Sequence, residues 1–312
     1  MPTKPETMGN IDEFKSIEKF TKQRYNIYRT LEIVGTTDIF ENWMVKDLYT
    51  KVLNCGTSLQ FGVDDKGITH LIGGNFCRNR ICPMCQFRRA EKLFSQAIQI
   101  VEKMEQEGFR FLHLVLTVPN PQDERELVET IKNLYKSFGK FWKYKEVKKA
   151  YKGAIRCLEI SYNYERCEFH PHLHCLIAVK KSYFTDSKVY LKYDRVRELW
   201  AKACKSERLY QVSVRAVKEG DYRGVAEVCK YSVKPLDFDD TQEQWQNERI
   251  ILNLGWRLKG TRLLQKYGVL KDEWRQMFGA DETEDDNTEF DIKQMFDYTF
   301  SYEWTKNGYE RS

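Results

Sequence analysis

The sequence predicts an α+β fold, an antiparallel sheet with helices on one face, plus a small cysteine-rich element. Three observations predict it. Blocks rich in β-formers and blocks with helical periodicity follow one another as strand, helix, hairpin, helix, strand, helix. The segments Ala154–Tyr164 and Phe169–Val179 are joined by a short polar connection around Glu165-Arg166, as in a β-hairpin. Cys77, Cys82 and Cys85 fall within one short stretch, a density that core packing alone does not require.

The elements follow in chain order. Residues 1–50 carry amphipathic helical patterning through Ile17, Phe20, Tyr25, Tyr28 and Leu31, and form an N-terminal helical segment. A β-like stretch runs from Lys51 to Gly74. The cysteines and a helix from Arg88 to about Gly108 complete an element over residues 51–108. Phe111–Val118 reads as a strand ended by Pro119-Asn120-Pro121. From Asp123 to Lys145, Leu127, Ile131, Leu134, Phe138 and Phe141 recur at helical spacing. After the hairpin come a helix from Tyr193 to Lys205, a strand from Tyr210 to Val217 and a helix from Asp221 to Val233, stopped by Pro235. These place one domain over residues 109–272, followed by an acidic tail over 273–312.

Composition narrows the class. The chain has 312 residues, 41% hydrophobic and 14% aromatic, which is globular and not disordered. The net charge of +5 is modest, but the run Asp281–Asp291 is strongly acidic, so the remainder is more basic than the total. The longest apolar run, within Phe111–Val118, is too short to cross a bilayer. The N-terminus shows no secretory pattern, which gives a cytoplasmic location by default. Nine cysteines, an odd number without an export signal, favour metal binding or core packing over a disulfide framework.

Three constellations carry chemistry. In Cys77-x4-Cys82-Pro-Met-Cys85 the close pair supplies two thiolates to one tetrahedral zinc and Cys77 a third. Cys55, beside Gly56, is the favoured fourth ligand, with His70 as the alternative. In a strand, His170, His172 and His174 share one face, while Phe169, Leu173, Cys175, Ile177 and Val179 form an apolar face opposite. Imidazoles in register, backed by a core face, can hold a metal. Glu159, a charge in the middle of the hairpin's first strand, is the candidate carboxylate, and its oxygen favours Mn²⁺ or Mg²⁺. His113 is a weaker alternative ligand. Finally, Glu227 and Tyr231 stand one helical turn apart and share a face. A phenol ionises near pH 10, so as a nucleophile it needs help. Glu227 can orient or deprotonate it, and Lys230 or Lys234 can stabilise the phenolate or a phosphate.

Together these pieces resemble the replication initiators of small rolling-circle plasmids, in the HUH endonuclease superfamily. The resemblance rests on Phe111–Pro119, His170–His174, Gly224–Lys234, the cluster ending Cys82-Pro83-Met84-Cys85-x2-Arg88-Arg89, and Leu258–Leu264 followed by Tyr267-Gly268. It departs at Lys266-Tyr267-Gly268, where the family pattern has a small residue and paired glycines. The resemblance implies an RRM-like palm with the histidines on a central strand and the nucleophile on a nearby helix. It implies that Tyr231 nicks one DNA strand beside a divalent ion, leaving a 5′-phosphotyrosine and a 3′-hydroxyl primer, and that Glu227 assists a hydrolytic terminating cut. Origin DNA, single-stranded or extruded at the nick, is then the substrate, and a host helicase and polymerase are partners. No membrane is involved. The first 50 residues, the zinc element and the helix around Arg195-Arg197 are candidate DNA contacts. A transposase or relaxase of the same superfamily, and a non-catalytic zinc-containing DNA-binding protein, are the alternatives.

Overall fold

The computed structural model describes residues 17–28, 43–79, 82–121, 123–220, 222–229, 254, 261–279 and 298–312. The chain divides into two units, one formed by Met1–Phe87 with Asp285–Ser312 and the other by Arg88–Glu284. Among the described residues no helix is long and apolar enough to cross a membrane.

In the first unit, helices α1 (residues 17–28) and α2 (Trp43–Leu53) accompany a four-stranded antiparallel sheet. Its strands are β1 (Ser58–Val63), β2 (Thr69–Gly74), β8 (Tyr298–Thr305) and β9 (Gly308–Arg311), in the order β2-β1-β8-β9. Phe20, Leu59, Phe61, Phe300 and Tyr302 make its core. The stretch 273–312, read from sequence as an acidic tail, therefore ends in a hairpin that pairs with β1. The alternation Phe300, Tyr302, Trp304 carries this signal, and the acidic run before it outweighed it. The acidic run itself lies outside the described residues.

The second unit begins within helix α3 (Pro83–Gln106) and contains β3 (Phe109–Thr117), α4 (Glu124–Lys143) and the short α5 (Lys145–Ala150). It continues with β4 (Gly153–Asn163), β5 (Glu168–Lys180), α6 (Tyr193–Cys204), β6 (Val212–Val217), α7 (Arg223–Cys229), β7 (Leu264–Tyr267) and α8 (Gly268–Phe278). The sheet is antiparallel in the order β6-β3-β5-β4-β7. From β3 to β6 the succession is βαββαβ, the split arrangement of RRM-like and ferredoxin-like folds. Asp123 caps α4 by accepting from the amides of Arg125 and Glu126 at 2.7 and 3.0 Å.

Side-chain alternation sorts the helices. On one face, α4 and α6 cover the sheet: Phe141 meets Trp200 edge-on, and Arg156 lies 3.8 Å from the centroid of the Tyr135 ring. This is the helical layer that the sequence predicts. A second layer occupies part of the opposite face. There α3, α7 and α8 bury Ile100, Met104, Val225, Val228 and Trp274 against Phe111, Ile155, Leu176 and Ala178. The reason lies in β5, whose even-numbered positions change from imidazole to apolar after His174, so both of its faces need cover there. Two glycines permit the close approaches. A Cβ on Gly224 would stand 2.6 Å from Val217, and Gly268, at φ +55°, faces the carbonyl of Lys152.

Candidate functional site

The hairpin register builds the first site. Glu159 stands opposite His172, and Cys157 opposite His174, so the carboxylate and both imidazoles share a face. Glu159 Oε2 lies 2.7 Å from His174 Nε2 and 3.5 Å from His172 Nε2, and the two Nε2 atoms are 2.9 Å apart. Adjacent ligands of an octahedral ion at 2.0–2.1 Å are about 3.0 Å apart, so these three atoms fit one ion, with the remaining positions open.

The surrounding residues support that assignment. His172 Nδ1 donates to the carbonyl of His170 at 3.1 Å, which orients Nε2 toward the other two groups. His174 Nδ1 lies 2.9 Å from His113 Nε2, and the two rings stack. His113 is thus a positioning neighbour of His174 and does not join the three converging groups. Burial, followed by the neighbouring His174, pushes the His113 imidazole down to about 4, so it is neutral near pH 7. Burial works to raise the Glu159 carboxyl, but hydrogen bonds from His172 and His174 outweigh it and hold the group well below the usual carboxylate range. His170 turns elsewhere: its Nδ1 lies 2.6 Å from Asn120 Oδ1, and it is not among the converging groups. Burial, then His172, lowers its pKa.

Helix α7 packs across the same face as the imidazoles through Val225, Val228 and Cys229. Glu227 on that helix is near enough for its charge to favour protonation of His113. Tyr231 follows Cys229 by two residues. Tyr231, Lys230 and Lys234 lie outside the described residues.

The second site lies in the first unit, where Cys55, Cys77, Cys82 and Cys85 bring their sulfurs within 4.8 Å of one another. The Cys55–Cys85 and Cys77–Cys85 separations are 3.5 and 3.7 Å. A tetrahedron with bonds of about 2.3 Å has edges of about 3.8 Å, so the set fits zinc. Backbone amides of Cys77 and Arg78 donate to the sulfurs of Cys55 and Cys85 at 3.3 and 3.1 Å, bonds that suit thiolates. The Cys77 and Cys85 neighbours raise the Cys55 thiol pKa, and burial raises that of Cys82. Four neighbouring thiolates need a cation to coexist. His70, the alternative fourth ligand, instead pairs with Asp64 at 2.8 Å.

Sequence reasoning named His113 only as a weaker ligand and passed over Asn120. Its contact with His170 spans 50 residues and leaves no periodic signal.

A family model described as replication protein matches residues 68–310, a span holding Glu159, His172, His174, Glu227 and Tyr231. A Streptococcus pneumoniae protein named Protein rep is 34% identical over 251 residues, covering 78% of this chain and 77% of its own length. A Staphylococcus aureus Protein rep is 37% identical over 233 residues, 72% of this chain and 95% of that one. A Lactiplantibacillus plantarum Protein rep is 38% identical over 206 residues, 63% of this chain and 64% of its own. No solved structure matches.

Proposed function

The chain belongs to the replication-protein family, as its resemblance to plasmid rolling-circle initiators implies, and on that premise we propose that it starts replication by nicking one strand of its origin through Tyr231. One observation carries the reading. Glu159, His172 and His174 converge on a sheet face that α7 crosses, and α7 leads directly to Tyr231.

In this reading Glu159, His172 and His174 hold Mn²⁺ or Mg²⁺, which when bound supplies Lewis-acid polarisation of the scissile phosphate. The His172–His170 carbonyl and His174–His113 contacts fix the two rings, so little reorganisation accompanies reaction. The Tyr231 phenol, with Glu227 one turn before it, attacks phosphorus and releases the 3′-hydroxyl that primes synthesis. The proton leaves the phenol toward Glu227 and passes on to solvent, solvent protonates the departing 3′-oxygen, and Lys230 and Lys234 balance charge on the phosphate. The 5′-phosphotyrosine conserves the ester bond, and Glu227 then serves as base for the water that ends the cycle. The four-cysteine set holds structural zinc. Origin DNA is the substrate, and a host helicase and polymerase extend the primer.

A gel assay tests this. Single-stranded or hairpin DNA from the chain's own replicon, incubated with the full chain and Mn²⁺, should yield a nicked product and a protein–DNA adduct. Both should vanish in Tyr231→Phe. Origin binding without cleavage by the unsubstituted chain would instead favour a non-catalytic DNA-binding protein.

A further inference from the structure

Beyond the three converging ligands, the same sheet face continues into a groove of about 670 Å³ at the ends of β3, β4 and β5. Its volume lies within the roughly 300–1,000 Å³ of small-molecule pockets. The hairpin register places Ser161 opposite His170, and Thr117 stands opposite His172, so both hydroxyls project on the Glu159 side of the sheet. The groove is lined without a carboxylate among the described residues. Asn120, Asn163 and Gln211 bring carboxamides, Tyr210 an aromatic ring, and Arg166 an exposed cation. Carboxamides read base edges, aromatic rings stack on bases and guanidinium groups contact phosphates.

One contact sets the polarity of the groove's inner wall. Asn120 Nδ2 donates to Glu168 Oε2 at 2.9 Å, which fixes the amide so that Oδ1 faces His170. His170 Nδ1 must then be the donor across the 2.6 Å contact. The neutral ring is left with Nε2 as an acceptor, and this atom has no hydrogen-bond partner among the described residues. An acceptor at this wall complements the exocyclic amines of adenine and cytosine and opposes the O4 acceptor of thymine.

We propose that this groove is a subsite for an unpaired nucleotide of the nicked strand beside the scissile phosphate, and that the Asn120–His170 pair selects adenine or cytosine, whose major-groove edges carry an exocyclic amine. The inference rests on the nicking assignment for its place in the reaction, but the binding itself is separable. His170 is then a specificity-determining residue and not a third imidazole ligand. Glu168 is a positioning residue that acts through Asn120.

The test measures binding without cleavage. Full-length Tyr231→Phe protein, with no divalent ion added, is titrated into labelled d(A)12, d(C)12 and d(T)12 and followed by fluorescence anisotropy. The expected result is at least fivefold tighter binding of d(A)12 and d(C)12 than of d(T)12. Adding Asn120→Ala, or His170→Phe, should bring the three affinities within twofold of each other. Glu168→Gln, whose amide oxygen can accept the same bond, should keep the preference. Tyr210→Ala should weaken all three about fivefold. Equal binding of the three probes, no binding of any, or a preference untouched by both Asn120→Ala and His170→Phe would overturn the proposal. Near-ultraviolet circular dichroism separates lost folding from lost selection, and the two variants at different residues guard against either one unfolding. The nicking assignment fails independently: no Tyr231 adduct with intact base preference removes the enzyme but leaves the subsite.

Discussion

Among the described residues, two clusters of potential metal ligands are opposite in design. In the first unit four cysteines close around one point, with Cys55 1%, Cys82 0% and Cys85 4% exposed. In the second unit three groups converge from a hairpin, with both imidazole side chains 12% exposed. A tetrahedral ion bound by four thiolates has no position left for a substrate. An octahedral ion bound by two imidazoles and a carboxylate keeps several. Ligand number and closure thus separate a set suited to a structural ion from one suited to an ion that also takes a phosphate.

Breaking each cluster should therefore give different failures. The largest effect is expected for Cys82→Ser. Structural zinc in small domains contributes about 10–16 kcal/mol of apparent folding free energy, so losing one ligand should unfold the first unit. Zinc stoichiometry by atomic absorption and a thermal melt should show loss of both metal and an unfolding transition. Next is His174→Ala, which should leave the melt nearly unchanged but slow nicking about 10³-fold, the scale of several kcal/mol of Lewis-acid stabilisation. Dialysis against EDTA should reproduce this loss, and added Mn²⁺ should reverse it while the buried zinc is retained.

Smaller effects sharpen the second cluster. Glu227→Ala should reduce the terminating hydrolysis about 100-fold, and the first cleavage by less, in a two-step assay of turnover products. Equal loss in both steps would assign Glu227 to the tyrosine alone. His113→Ala should weaken Mn²⁺ binding about 10–100-fold by calorimetry, the usual cost of removing a neighbour that orients a ligand. A change within twofold would reduce His113 to a packing residue.

The sequence made some of this legible for physical reasons. Strand alternation alone puts His172 and His174 on one side, and the short polar connection at Glu165-Arg166 brings Glu159 opposite His172. The Cys82–Cys85 spacing likewise announces a turn that aims two thiols together. Helix packing on the imidazole face was less legible, because Leu176 and Ala178 share that face with the histidines and periodicity does not reveal where cover begins. Contacts between distant segments left no local signature. His113 meets His174 across 61 residues, and the β8 strand reaches β1 from the far end of the chain. Arg156, buried in β4 and bonded to Gln265 at 3.3 Å, is of the same kind.

Peptide mass spectrometry after reaction with origin DNA and Mn²⁺ is the most direct test of the central claim. A tryptic peptide containing Tyr231 should carry the mass of a 5′-phosphorylated nucleotide, and it should be absent after EDTA treatment. A nicked product with no covalent peptide, or an adduct on another residue, would contradict it.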